Sequence, residues 1–127
     1  MNKISKKILI VEDDKNFLWI LRQGFENQSI EVVYAEDGQE GLLMAEKEKP
    51  DLIIIDIILP KIGGIEMAKV IKEKGIKSQM IFLTNLKDVE HISEALSTVG
   101  KADYIVKSDI SVNAIVDRVK DKLGIKS

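Results

Sequence analysis

Five short apolar runs, each followed by a turn signal and then a stretch of helical periodicity, restrict the fold of this chain more than any other feature. They are Ile8 to Val11, Ile30 to Ala35, Leu52 to Ile55, Met80 to Leu83 and Tyr104 to Val106. A strand, a helix and a second parallel strand can share one sheet only through a crossover, which is right-handed in nearly all proteins, so the alternation predicts a parallel sheet with helices on both faces. The runs ILIV, LIII and MIFL lack any polar residue to turn toward solvent, as strands covered on both sides require. Glu31 interrupts IEVVY, which suits an edge strand.

The intervening segments carry their own boundaries. Val112, Ile115, Val116, Val119 and Leu123 fall on one helical face after Ser111, and Val89, Ile92, Leu96 and Val99 nearly do the same. Asp37 with Glu40 reads as an N-cap followed by an acid three residues on, and Pro50 follows the end of that helix. Gly75 is placed to close the third helix in a left-handed conformation. The expected fold class is therefore α/β, a doubly wound (βα)5 flavodoxin-like three-layer sandwich with strand order 2-1-3-4-5. With no repeat or long linker in 127 residues, a single domain over 1–127 is expected.

Composition enters by what it excludes. The chain has no cysteine and one histidine, His91, so thiol nucleophiles, disulfides, zinc-thiolate sites and multi-histidine metal sites are all ruled out. A net charge of −2 supplies no basic face, and no direct nucleic-acid partner is expected. The apolar run that follows the N-terminal lysines is too short for a signal-peptide core, and no stretch could span a membrane, so a cytoplasmic location is expected.

The polar residues sit where the apolar runs stop. The first run ends into Glu12, Asp13 and Asp14, the third into Asp56, the fourth into Thr84 and the fifth into Lys107. In a parallel sheet these positions share one edge, and ligands of doubly wound folds bind outside the carboxyl ends of the strands. Carboxylates gathered there repel one another unless a cation intervenes. Hard oxygen donors without imidazole or thiolate favour Mg²⁺, with Mn²⁺ the alternative. A carboxylate beside such an ion, with an ammonium and a hydroxyl at hand, is the set needed for phosphoryl transfer onto an aspartate, and Asp56, alone at the end of the middle strand, is the natural nucleophile.

ILIVEDD, IDIILP with Gly64 beyond it, the pair Leu83 and Thr84, and GKADYIVK together resemble the receiver domains of bacterial two-component response regulators over essentially the whole chain. The resemblance implies a stand-alone phosphoacceptor, not an enzyme beyond slow self-dephosphorylation. It also implies that Glu12, Asp13, Asp56 and the carbonyl of Ile58 bind Mg²⁺, and that a histidine kinase or histidine phosphotransfer protein phosphorylates Asp56. By the same resemblance Lys107 contacts the phosphoryl group, Thr84 moves toward it, Tyr104 is an aromatic switch, and an unknown protein is the downstream target. Asn85 and Ser108 depart from the usual pattern, which has a small residue after the threonine and a proline after the lysine. A trans bond is expected after Lys107, because cis costs other residues about 2.5–4 kcal/mol.

Two rival chemistries share the fold type: an aspartate-nucleophile phosphohydrolase and a flavin-binding module. The first would carry a DxD-type pair after strand one, where Glu12 and Asp13 stand; the second would need amide and hydroxyl donors there. Among the remaining features, Asp14 is expected to cap the first helix, Gly63 and Gly64 to make a turn, and His91 to face solvent. In the run Phe17 to Leu21, helical spacing puts Phe17, Ile20 and Leu21 on the core face with Gly24 and Phe25. Leu18 and Trp19 are then expected to point outward as a docking patch for the kinase.

Overall fold

The computed structural model describes residues 5–85, 93, 97 and 103–125. Strands β1 (Lys6–Val11), β2 (Ile30–Ala35), β3 (Leu52–Asp56), β4 (Gln79–Thr84) and β5 (Asp103–Val106) alternate with helices α1 (Lys15–Gly24), α2 (Gly38–Glu48) and α3 (Gly64–Glu73), and α4 (Val112–Lys122) follows β5. All strand pairs are parallel, in the order β2-β1-β3-β4-β5. This is the doubly wound sandwich that the alternation of runs implies, with β2 at an edge. Val89, Ile92, Leu96, Val99 and His91 lie outside the described residues; Ser93 and Ser97 are helical.

Two apolar layers enclose the sheet, because successive side chains of a buried strand point to opposite faces. Ile8, Ile10, Leu52, Ile54, Ile81 and Leu83 meet α1 and α4, while Leu9, Val11, Ile53, Ile55 and Phe82 meet α2 and α3. Every residue of β3 is buried, Asp56 included. Burying one such aliphatic side chain contributes about 1.5–3 kcal/mol, so the middle strand is a firm mount for whatever stands at its end.

The caps agree with the sequence. Asp14 accepts from the amides of Asn16 and Phe17, Asp37 from Glu40, and Ser111 from Ala114. Glu40 reaches back one residue further than the usual box, to the amide of Glu36. Gly75 has φ +77°, the left-handed closure expected after α3. No cis peptide bond occurs among the described residues, and the chain passes from Lys107 into a 3₁₀ turn through Asp109.

On α1 the structure corrects the expected facing. Leu18 is buried, 4% exposed, and belongs to the core shared by α1 and α4, so it is no part of an outward patch. Ile20, assigned inward, is 42% exposed, and Trp19 is 58% exposed as expected. The helix is flanked by α4 as well as by the sheet, so its buried arc runs from Phe17 through Leu21 and Phe25 to Leu18, about 100° at 3.6 residues per turn. The close approach behind this is marked at Gly24, where a Cβ would stand 2.6 Å from Val112 Cγ1.

Candidate functional site

Register fixes the site. Val11 pairs with Ile55 and Asp56 with Leu83, so Glu12 and Asp56 leave adjacent strands at one level, at the point between β1 and β3 where the winding reverses. Thr84 pairs with Val106, and Lys107 follows at once. Four elements thereby deliver Glu12, Asp13, Asp56, Thr84 and Lys107 to a single crevice.

Lys107 is the centre of its electrostatics. Its Nζ lies 2.8 Å from Asp56 Oδ2 and 2.8 Å from Glu12 Oε1. The contact with Asp56 is a hydrogen bond, and the contact with Glu12 Oε1, a buried oxygen, is an ion pair. The other oxygen of each acid accepts from the backbone two residues on, Glu12 Oε2 from Asp14 N–H and Asp56 Oδ1 from Ile58 N–H. Thr84 is buried and Asp13 exposed.

Burial raises the Glu12 carboxyl to a pKa of about 7, and the neighbouring Asp56 carboxylate adds to the effect against the pull of Lys107. Burial alone would depress the Lys107 ammonium, but Asp56 and Glu12 outweigh it and hold the group above its ordinary value. Ligand oxygens of Glu12, Asp13 and Asp56 all lie within 4.8 Å of one another. Three carboxylates against one ammonium leave two uncompensated negative charges when all are ionised, and Glu12 keeps a buried oxygen without a hydrogen bond. That donor set fits one hard divalent cation.

A pH dependence follows. Because the folded-state value of Glu12 is raised from 4.5 to about 7, its contribution to stability is fully present below pH 4.5 and is lost as pH rises through 7. In a chelator, thermal stability is expected to fall between pH 5 and 8 by up to about 2–3 kcal/mol, and Mg²⁺ is expected to stabilise the protein more at pH 8 than at pH 5. Melting curves in EDTA and in Mg²⁺ check both; a flat profile in EDTA would mean that Glu12 ionises without strain.

The remaining expected site residues fall as follows. Ile58 is half exposed and meets Asp56 through its amide; Tyr104 is 41% exposed on β5, its carbonyl accepting from Arg118. Trp19 stands on the outer face of α1. Two contributors escaped sequence reasoning. Phe17 presents its ring 4.9 Å from Lys107 Nζ, and Gly64 packs against the Asp56 carbonyl so closely that a Cβ would lie 2.1 Å from that oxygen. The available signal for Phe17 was its place in the first turn after strand one, at the same sheet edge as Lys107.

No described helix is long and apolar enough to cross a membrane. The family model for the response regulator receiver domain matches residues 8–120. The chain is similar to the alkaline phosphatase synthesis transcriptional regulatory protein PhoP of Bacillus subtilis, 37% identical over 118 residues that cover 91% of this chain and 49% of PhoP. It is also similar to sporulation initiation phosphotransferase F of the same organism, 29% identical over 124 residues that cover 98% of each. A CheY-like response regulator receiver domain protein from Methanospirillum hungatei has the same fold, with a TM-score of 0.85 at 30% identity over 95% of both chains. The chain spans about half the length of PhoP and of similar regulators.

Proposed function

Because this chain belongs to the response regulator receiver domain family, we propose that Asp56 is its phosphoacceptor, charged by a histidine kinase or a histidine phosphotransfer protein. Members of this family serve two-component signalling. The observation that carries the finer reading is the group formed by Glu12, Asp13 and Asp56 with Lys107 bridging two of the acids, all at the switch point of the sheet.

Glu12, Asp13 and Asp56, with the Ile58 carbonyl, would hold Mg²⁺, or Mn²⁺ in its place. When bound, the ion supplies neutralisation of the charge on the transferring phosphoryl oxygens. Asp56 attacks phosphorus in line: a new P–O bond forms to its carboxylate as the bond to the donor breaks, and the leaving group takes the electron pair. Lys107, already within 2.8 Å of Asp56, stays beside the new phosphoryl oxygens, and the Thr84 hydroxyl donates to another. Tyr104, half exposed on β5, reports the state to a protein target. The phosphorylated receiver signals through a protein contact.

Trp19 and the adjacent Ile20, both exposed on α1, replace Trp19 and Leu18 as the docking patch for the kinase. Exposed tryptophan beside exposed isoleucine is the feature that supports it.

Acetyl phosphate with Mg²⁺ is expected to add a single phosphoryl group, seen by intact mass, and EDTA to prevent it. Sustained turnover of p-nitrophenyl phosphate without a stable adduct would favour the phosphohydrolase instead.

A further inference from the structure

Lys107 carries its charge on a flexible four-carbon stem, so something must fix where the ammonium sits. Its carboxylate partners, Glu12 and Asp56, are the groups whose engagement changes during phosphoryl transfer. The ring of Phe17 is not. Its centroid lies 4.9 Å from Nζ, within the range in which an aromatic face attracts a cation. The ring is half buried against the core shared by α1 and α4, and the Phe17 amide donates to the capping Asp14 at 3.2 Å. Its position is thus set by packing against that core and by the helix cap, the Asp14 amide in turn donating to Glu12 Oε2.

We propose that Phe17 is a positioning residue for Lys107, its ring face holding the ammonium over Asp56 through the transfer. The inference rests on the reading of Asp56 as phosphoacceptor. It adds that the lysine is preorganised by a neutral partner that neither the ion nor the phosphoryl group displaces. Leucine at position 17 would fill much of the same apolar space but has no negative ring face, and tyrosine would keep that face.

The test uses the full chain as wild type, Phe17→Leu, Phe17→Tyr, Lys107→Met and the double variant Phe17→Leu with Lys107→Met. Initial rates with acetyl phosphate and Mg²⁺ are expected to fall about three- to tenfold in Phe17→Leu, tenfold being about 1.4 kcal/mol of barrier. Phe17→Tyr is expected to stay within about twofold of wild type. In the Lys107→Met background Phe17→Leu is expected to change nothing further, since the charge it would steer is gone. The same fractional loss in both backgrounds, or a loss in Phe17→Tyr as large as in Phe17→Leu, overturns the proposal. An NMR measurement decides the stacking without any phosphodonor: the methylene protons beside Lys107 Nζ should be shifted upfield by the ring in wild type and return to ordinary lysine positions in Phe17→Leu. Ordinary positions in the wild type overturn it. If acetyl phosphate labels nothing while the ring shift is present, the phosphoacceptor reading fails and the stacking stands.

Discussion

Asp56→Asn is expected to take up no phosphoryl group from acetyl phosphate under conditions that label the wild type fully. The substitution keeps the shape of the side chain, and one oxygen remains to accept from Ile58 N–H, a bond of 3.1 Å in the native protein. What it removes is the nucleophile, the Oδ2 that accepts from Lys107 at 2.8 Å, and one of the charges that oppose ionisation of Glu12. An amide oxygen does not form a stable acyl phosphate, so the loss should be complete and not a matter of rate. Intact mass followed by peptide mapping checks it. An adduct that persists and maps to Asp13 would move the acceptor to the exposed rim of the crevice; one that maps elsewhere would remove the site from it.

The second large effect is expected from Gly64→Ala. A Cβ at this position would stand 2.1 Å from the Asp56 carbonyl oxygen and 2.9 Å from its carbon, where real Cβ contacts under 3.0 Å essentially do not occur. The obstacle is backbone, so no rotamer change relieves it, and either α3 or the end of β3 must shift by about 1 Å. Overpacking of this kind costs typically about 1–3 kcal/mol and occasionally more. Displacing a reacting group by about 1 Å can cost on the order of 100-fold in rate, so phosphorylation should fall by about that factor even where the variant is folded. Gly75→Ala is the control. Its Cβ meets nothing within 4 Å, although φ is +77°, so it is expected to lose about 1–2 kcal/mol of stability and none of the labelling rate. Urea denaturation and labelling time courses separate the two variants; equal labelling rates would show that the α3 contact does not hold Asp56 in place.

The architecture was legible because its signals are local. Unbroken apolar runs, Asp14 and Asp37 at helix starts and Gly75 at a helix end each follow from one residue's own chemistry, and the strand ends carried Glu12, Asp56, Thr84 and Lys107 into one edge without any contact being known. What sequence could not supply was the rotation of α1. Five consecutive apolar residues are compatible with more than one facing, and the second neighbour that selects among them, α4, arrives some ninety residues later in the chain. Leu18 and Ile20 were therefore exchanged between core and solvent. The same limit hid Phe17, whose ring meets Lys107 across most of the chain, and Gly64, whose reason for being glycine is a carbonyl eight residues earlier rather than the turn it also makes.

Gly64 and its neighbours have a mechanical consequence. Gly64 N–H donates to Ile57 O at 2.9 Å, Ile57 N–H to Leu83 O at 3.0 Å, and Gly38 N–H to Pro60 O at 3.3 Å, while a Cβ on Gly38 would collide with Ile62 O. The corner from Asp56 into α3 is held at the start of α3, by β4 and by α2. The end of β3 is thereby the braced wall of the crevice, joined to β4 at Leu83 O, one residue before Thr84.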